Sequence, residues 1–240
     1  MQISVVIPMY NENKIIEDTA RQLSAYMEEN FESYEILFSD DGSSDGCGDT
    51  VRSLQLPSVR VVGYEKNQGK GCAVRTGMLE ATGDLVLFTD ADLAYGVEVI
   101  GAMWDFYLSS GAHPDVVIGS RAIHPDGYAG YTPLRKLMSK VYVRVLGLVG
   151  GFRLTDSQCG CKAFSQKAAK DVFSRCEVNG FSFDFEAILW TERLGFRIGE
   201  FPVRIVNHRE SKIHVLRDSV RMLRSVRKIR NRVRKQSESI

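Results

Sequence analysis

Short apolar runs and helical segments alternate in the first 90 residues, and this alternation constrains the fold more than any single motif. The apolar runs lie at 3–7, 35–38, 59–63 and 85–88, and helices are predicted between them over 14–29, 47–55 and 72–81. Strand–helix alternation of this kind gives right-handed crossovers and a parallel sheet. We therefore predict an α/β fold with a mostly parallel sheet flanked by helices.

Composition narrows the class of protein. With 240 residues, 44% hydrophobic and 25% charged, the chain can bury the core of one large domain. The net charge of +1 and the lack of a nucleic-acid-binding motif argue against a nucleic acid partner. The five cysteines form no C-x-x-C pair, so we expect free thiols in a cytoplasmic protein. No apolar run is long enough to span a membrane.

The fourth strand ends in two carboxylates. Residues 85–88 form an apolar run typical of a strand buried on both faces, and Asp90 and Asp92 follow it one residue apart. Ligands of open α/β sheets bind beyond the carboxyl ends of the strands. Two carboxylates this close repel each other unless a cation shares them, and Mg²⁺ or Mn²⁺ is the natural candidate. An isolated D-x-D is more often a strand-end turn with two solvated aspartates, so the rest of the chain must decide between the two.

Two more polar loops follow strands in this half of the chain, at 8–12 and 40–43. Parallel strands point the same way, so all three loops are expected on one edge of the sheet. Together they predict a nucleotide pocket in which carboxylates accept from base and ribose while a metal neutralises phosphates. The chain has neither a P-loop nor a G-x-G-x-x-G turn, which argues against a nicotinamide enzyme.

In the second half of the sequence, the predicted strands and helices alternate less regularly. Helices are predicted over 96–110, 134–148, 165–174 and 180–193, with a strand at 115–118 and a strand pair or bent strand over 196–206.

Residues 213–240 form a separate basic segment. From Arg217 to Lys235 there are nine Lys or Arg and one Asp, and apolar residues recur at 216, 220, 223 and 226. A basic amphipathic helix of this kind can lie on an anionic membrane, although it could also pack on the domain or mediate oligomerisation.

Several motifs resemble those of one enzyme family. In the first half these are 5–12 (VVIPMYNE), 40–46 (DDGSSDG), the Gly-rich loop 67–71 (NQGKG) and 90–92 (DAD). They resemble the signature of inverting family 2 glycosyltransferases with a GT-A (Rossmann-like) fold. The later motifs 119–121, 156–164, 180–186 and 211–212 resemble the dolichyl-phosphate (polyprenyl-phosphate) glucosyltransferase branch, and related mannose synthases share several of them. Cys161 departs from the bulky residue common there, and we expect no N-terminal membrane anchor of the kind found in some relatives.

The resemblance implies roles for particular residues within a glycosyltransferase domain spanning 1–212. The nucleotide sugar would be bound by Pro8, Tyr10, Glu12, Asp40 or Asp41 (at the uracil N–H), Lys70, Asp90 and Ala91. Asp90 and Asp92 would hold the metal, with Asp92 the more direct ligand. Arg121, Arg135 and Lys212 would bind donor or acceptor phosphate. The catalytic set would be Asp92 and Arg121, with Asp156 or Asp184 as a base if the acceptor is a hydroxyl.

The predicted activity is metal-dependent, inverting transfer of glucose from UDP-glucose to a dolichyl or polyprenyl phosphate, by a cytoplasmic protein held peripherally at the membrane. One alternative keeps the fold but changes the donor to GDP-mannose or UDP-GlcNAc, or the acceptor to a saccharide hydroxyl. Another alternative is a nucleotide-sugar-binding protein without turnover. An ionised lipid phosphate needs positioning cations rather than a base, whereas a sugar hydroxyl needs a base.

Overall fold

The structure is a computed structural model that describes residues 1–109, 111, 114–207 and 215–238, with the backbone alone for 215–224. Its strands are β1 Ile3–Met9, β2 Tyr34–Asp40, β3 Val59–Gly63, β4 Leu85–Phe88, β5 Val116–Ser120, β6 Lys162–Ser165 and β7 Ile198–Pro202. Its helices are α1 Ile16–Asn30, α2 Cys47–Ser53, α3 Lys70–Glu80, α4 Glu98–Ser109, α5 Pro133–Gly150, α6 Gln166–Phe173, α7 Phe183–Arg193 and α8 Val215–Ser237.

The strands of the described chain form one sheet in the order β3-β2-β1-β4-β6-β5-β7. The pairs β1–β2, β1–β4, β2–β3 and β5–β7 are parallel, and β6 runs antiparallel between β4 and β5. The predicted mostly parallel sheet is confirmed. No sequence pattern predicts β6, because this strand has four residues, begins with a lysine and runs directly into α6.

The sheet is covered by helices on both faces. All seven residues of β1 and all four of β4 are buried, as expected for central strands. Alternate residues of each strand enter different hydrophobic clusters: Val86 and Phe88 pack on one face, and Leu85 and Leu87 on the other. The region 196–206, predicted as a strand pair or bent strand, contains the single strand β7.

The C-terminal helix packs on the domain over its described side chains. Val226, Ile229 and Val233 are almost fully buried, in the same cluster as Leu146 of α5 and Trp190 of α7. Val226 belongs to the apolar stripe predicted to meet a membrane, so at this position the alternative of packing on the domain is correct. The predicted boundary between 212 and 213 lies outside the described residues. None of the helices that the structure describes has the length and hydropathy needed to cross a bilayer.

Candidate active site

Three polar loops leave the same edge of the sheet, as the sequence predicted. In the parallel β1–β2 pair, Met9 lies opposite Asp40, and in the parallel β1–β4 pair, Val6 lies opposite Phe88. The loops that follow β1, β2 and β4 are therefore neighbours at the carboxyl ends of their strands, which is where open α/β sheets bind ligands.

The loops after β1 and β2 are tied together by side chains. The Asn11 N–H donates to Ser43 Oγ at 3.0 Å, and the Ser44 N–H donates to Asn11 Oδ1 at 2.9 Å. Asn11 adopts a left-handed φ of 51°, which asparagine tolerates better than most residues. Among the predicted nucleotide contacts from this loop, Tyr10 is 44% exposed. Glu12 is half-buried, whereas Pro8 lies buried inside β1.

Asp40 and Asp41, adjacent in sequence, have different surroundings. Asp41 is 3% exposed. Its carboxylate accepts hydrogen bonds from the Tyr64 hydroxyl at 2.6 Å, from the Asn67 amide at 2.8 Å and from two backbone N–H groups of the Gly-rich loop. Asp40 is half-buried, and its Oδ1 accepts from the Ser43 N–H at 2.9 Å. Asp41 therefore holds the Gly-rich loop in place, and Asp40 is the carboxylate with surface open to a ligand.

Lys70 is the first residue of α3 and forms an ion pair with Asp90. The two side chains are 28% and 30% exposed, so the pair lies at the mouth of the site. Burial lowers the pKa of Lys70, but attraction by Asp90, Asp184 and Asp92 outweighs it and leaves this pKa above its ordinary value. Lys70 therefore brings a fixed positive charge to the carboxylates rather than projecting into solvent.

The loop that carries Asp90 and Asp92 is a tight turn. The Leu93 N–H donates to the Asp90 carbonyl at 3.0 Å, and Leu93 has a φ of 47°. Asp92 Oδ1 accepts from the Ala94 N–H at 3.1 Å. Between the carboxylates, Ala91 is 7% exposed, and its carbonyl accepts from Thr19 Oγ1 at 2.7 Å. The turn thus buries Ala91 and leaves the two flanking carboxylates partly exposed.

The donor set at Asp90 and Asp92 fits a hard divalent cation that also binds phosphate. Within the described part of the chain, no group of three or more His, Cys, Asp or Glu residues could hold a metal. An ion here would complete its oxygen shell with phosphates and water, as Mg²⁺ commonly does. The backbone of Gly160 approaches the Asp90 carboxylate closely. A Cβ on Gly160 would lie 2.2 Å from Asp90 Oδ2, so the lack of a side chain there leaves room for the carboxylate.

Replacing Gly160 with Ala tests whether this close approach matters. The added methyl group must displace the Asp90 carboxylate, and misplacement of about 1 Å at a reacting centre can lower turnover about 100-fold. We expect Gly160→Ala to lower turnover about 10- to 100-fold and to raise the Mn²⁺ concentration needed for half-maximal activity. Gly111→Ala is the control, because a Cβ there has no neighbour within 4 Å among the residues that the structure describes. Equal activity of the two variants would contradict the prediction.

Arg121 is held by a buried carboxylate immediately after β5. Its Nε donates to Asp156 Oδ2 at 2.6 Å and its Nη2 donates to Oδ1 at 3.0 Å, with the two side chains 11% and 0% exposed. Its Nη1 donates to the Tyr131 hydroxyl at 3.2 Å, and the Arg135 guanidinium stacks 4.0 Å from the centre of the Tyr131 ring. Two cations are therefore joined through one tyrosine. Lys212, the third predicted phosphate ligand, lies outside the described residues.

Burial alone would raise the pKa of Asp156, but Arg121 outweighs that effect and holds this pKa below its ordinary value. Asp156 therefore remains ionised as the partner of Arg121. The loop that begins at Asp156 continues to Gly160, whose backbone lies against Asp90. One loop thus supports both the predicted phosphate-binding cation and the predicted metal-binding carboxylate.

A second buried ion pair joins Asp184 to Lys162, a residue that the sequence did not single out. Lys162 is 1% exposed, and its Nζ donates to Asp184 Oδ1 and to the Cys159 carbonyl, each at 2.6 Å. Burial raises the pKa of Asp184, with Lys162 opposing this effect in part. The signal that could have identified Lys162 is a lone lysine in the motif 156–164, which becomes informative once β6 is recognised as a central strand.

The segment before α7 connects the site to the C-terminal helix. The Asn179 carbonyl accepts from the Gly71 N–H at 2.7 Å, so this segment supports the Gly-rich loop. Glu186 is fully buried and accepts from the Val178 N–H at 2.7 Å, and its other oxygen pairs with Arg232 of α8. A chain of contacts thus runs from α8 through Glu186 to the loop that carries Lys70.

Named relatives resemble the chain over most of its length. The chain is 32% identical over 221 residues to a dolichyl-phosphate beta-glucosyltransferase of Trichomonas vaginalis, covering 88% of this chain and 65% of that protein. It is 30% identical over 243 residues to the dolichyl-phosphate beta-glucosyltransferase of Saccharomyces cerevisiae, covering 93% and 72%. The chain therefore spans a little less than two thirds of the first relative's length.

A solved structure shares the fold. Glucosyl-3-phosphoglycerate synthase from Mycobacterium tuberculosis, crystallised with Mn²⁺, UDP and glucosyl-3-phosphoglycerate, superposes with a TM-score of 0.69 at 21% identity, covering 95% of this chain and 78% of that one. The predicted GT-A fold is confirmed by this similarity. The family model for glycosyl transferase family 2 matches residues 4–173. The chain therefore belongs to glycosyl transferase family 2.

Proposed function

We propose that the chain transfers glucose from UDP-glucose to the phosphate of a dolichyl or polyprenyl lipid, with inversion and with Mg²⁺ or Mn²⁺. The relatives named as dolichyl-phosphate beta-glucosyltransferases align over most of the chain. The structural neighbour binds UDP and Mn²⁺ on the same fold. Because the acceptor would be a lipid, the protein would work peripherally at a membrane surface.

The observation that carries the proposal is that both candidate bases, Asp156 and Asp184, are already paired with cations. Asp156 is fully buried under Arg121, and Asp184 is buried against Lys162. A carboxylate that abstracts a proton must reach the acceptor hydroxyl, which favours an acceptor that needs no deprotonation. A phosphate monoester is largely ionised at neutral pH, since its second pKa is about 6. Asp156 is then a positioning residue for Arg121 rather than a base.

In the proposed mechanism the donor lies across the three strand-end loops. Asp40 accepts from the uracil N–H, while Asp41 keeps the Gly-rich loop in place. Asp90 and Asp92 would hold the divalent cation, which supplies charge neutralisation for the departing diphosphate. Lys70 adds its fixed positive charge beside Asp90.

Arg121 and Arg135 would hold the acceptor phosphate through charge-assisted hydrogen bonds. A phosphate oxygen forms a bond to the anomeric carbon as the bond from that carbon to the UDP oxygen breaks, and UDP leaves with the electron pair. This single displacement inverts the anomeric centre and requires no proton transfer to the protein.

A donor and acceptor panel tests the proposal. We expect product from UDP-glucose and a short polyprenyl phosphate with Mn²⁺, and no product after chelation. UDP-GlcNAc and GDP-mannose test the donor, while the matching polyprenol, which lacks the phosphate, tests the acceptor. Product from GDP-mannose alone, from the polyprenol, or in the presence of chelator would contradict the proposal, and nucleotide binding without product from any donor would indicate a binding protein.

We also propose that residues 1–212 form the catalytic domain and that the C-terminal segment 213–240 supports it. Arg232→Ala removes the charged partner of the fully buried Glu186. Since Arg232 is itself 33% exposed, we expect the free energy of unfolding to fall by about 1–3 kcal/mol. Denaturant unfolding measures the change. Arg234→Ala, on an exposed face of the same helix, is the control, and equal midpoints for the two variants would show that the pair of Arg232 and Glu186 does not contribute to the support of the domain by α8.

A further inference from the structure

Helix α5 exposes a row of large apolar side chains. Leu134, Leu137, Val141 and Leu148 are 66%, 59%, 52% and 85% exposed. Their spacing of three, four and seven residues places them on one side of the helix. The core-facing side is already occupied, because Val143 and Leu146 are buried. The outward apolar row therefore plays no part in the packing of the described domain.

Positive charge borders this row on one side: at about 100° per residue, Lys140 and Arg144 lie beside the row, whereas Arg135 and Lys136 lie farther round the first turn. Exposed basic residues stand at 135, 136, 140 and 144, and the α5 sequence contains no Asp or Glu. No ion pair is recorded for Lys136, Lys140 or Arg144 within the described part of the chain. A helix that combines an apolar row with unneutralised cations is complementary to an anionic lipid surface.

We propose that α5 docks the protein on an anionic bilayer, with Leu134, Leu137, Val141 and Leu148 inserted at the boundary between headgroups and acyl chains. A second copy of the chain is the rival occupant. In a symmetric contact between two α5 helices, the cations of one helix would face those of the other, and α5 offers no carboxylate to pair with them. Charge complementarity therefore favours the bilayer.

The position of α5 relates this surface to the site. The helix begins at Pro133, just after Tyr131, which joins Arg121 to Arg135. Docking through α5 would bring these two guanidinium groups to headgroup level, where a lipid phosphate lies. The inference rests on the proposed function only in taking the acceptor to be a lipid. It moves the predicted membrane contact from the C-terminal helix, part of whose apolar face is buried, to α5.

Vesicle co-sedimentation of the full chain tests the proposal. The vesicles are phosphatidylcholine with about 30% phosphatidylglycerol, or phosphatidylcholine alone, and contain no polyprenyl phosphate. We expect binding to the anionic vesicles. The double variant Leu137→Ser/Leu148→Ser should lower that binding at least tenfold, since two exposed leucines lose their apolar contact. Lys140→Gln/Arg144→Gln should lower it about 25-fold, at roughly fivefold for each cation near an anionic surface.

Matched controls lie on other helices. Leu108→Ser changes an exposed leucine on α4, and Lys167→Gln/Arg193→Gln removes two exposed cations from α6 and α7. All variants should retain the melting temperature of the parent chain, because the altered side chains face solvent. Failure of the parent chain to bind anionic vesicles, or equal binding by the α5 variants and the controls, would overturn the proposal.

Sedimentation velocity without lipid tests the rival hypothesis, in which α5 binds a second copy of the chain. A concentration-dependent dimer that Leu137→Ser/Leu148→Ser dissociates would identify α5 as a contact between copies of the chain and would overturn bilayer docking. Because the vesicles carry no acceptor, vesicle binding is read independently of glucosyl transfer. Failure of docking and failure of the proposed reaction are therefore distinguishable.

Discussion

Replacing Asp92 with Asn should lower glucosyl transfer by about 1000-fold or more while the protein stays folded. Asp92 and Asp90 are the two partly exposed carboxylates at the end of β4, and an amide is a weaker ligand for a hard cation than a carboxylate. Loss of a preorganised electrostatic contact to a developing charge lowers turnover by about 100- to 1000-fold, and loss of metal affinity adds to this. Initial rates across a Mn²⁺ series measure both effects.

The control is Asp105→Asn, which makes the same change of charge at an exposed position on α4. Asp90→Asn should also impair transfer, and it removes the partner of Lys70 as well. Asp92→Asn therefore isolates the metal more cleanly than Asp90→Asn. An Asp92→Asn enzyme that retains turnover within tenfold of the parent, with an unchanged Mn²⁺ requirement, would contradict the assignment.

The second large effect is expected at the pair of Arg121 and Asp156. Asp156→Asn leaves the nearly buried Arg121 without its charged partner, and breaking a buried ion pair from one side lowers the free energy of unfolding by about 3–5 kcal/mol. Transfer should fall too, because the guanidinium proposed to position phosphate is no longer held by two charged hydrogen bonds. Denaturant unfolding and steady-state kinetics give the two quantities separately.

A double variant separates stability from activity at this pair. Arg121→Met/Asp156→Leu removes both charges, and apolar replacements of a buried pair are often neutral or stabilising. We therefore expect stability to recover substantially relative to Asp156→Asn, while transfer stays low because the Arg121 guanidinium is gone and Arg135 alone remains to bind phosphate. Recovery of transfer in the double variant would show that Arg121 has only a structural role.

The same pair predicts how stability depends on pH. The pKa of Asp156 is lowered in the folded protein, so its contribution is fully present above the unfolded value of about 3.9. That contribution is lost as the pH falls through the lower folded pKa. Asp156→Asn should therefore show a shallower loss of stability on acidification than the parent chain. Unfolding curves at neutral pH and between about pH 2 and 4 measure the difference.

The sequence predicts the first half of the site well because its signals are local. Each buried strand there ends abruptly in polar residues, and parallel pairing brings those ends together regardless of side-chain detail. Asp40 and Asp41 mark the limit of that reasoning. They are neighbours at the end of β2, and only the position of the following Gly-rich loop decides that Asp41 is the buried one.

The second half depends on contacts between distant residues. Strand β6 is short and contains a lysine, so neither length nor alternation reveals it, and the burial of Lys162 beside Asp184 follows from that strand. The stripe on the C-terminal helix predicts an amphipathic helix, but spacing alone cannot distinguish a membrane from the domain itself as the partner of Val226. The exposed row on α5 is likewise visible only when burial is known.

The anomeric configuration and linkage of the product test the proposed reaction most directly. The full chain is incubated with UDP-α-glucose, a short polyprenyl phosphate and Mn²⁺, and the purified product is analysed by proton and phosphorus NMR. We predict a β-glucosyl phosphodiester, in which the anomeric proton couples to the lipid phosphorus. An α-linked product, or glucose attached to a hydroxyl oxygen, would contradict an inverting displacement by an acceptor phosphate.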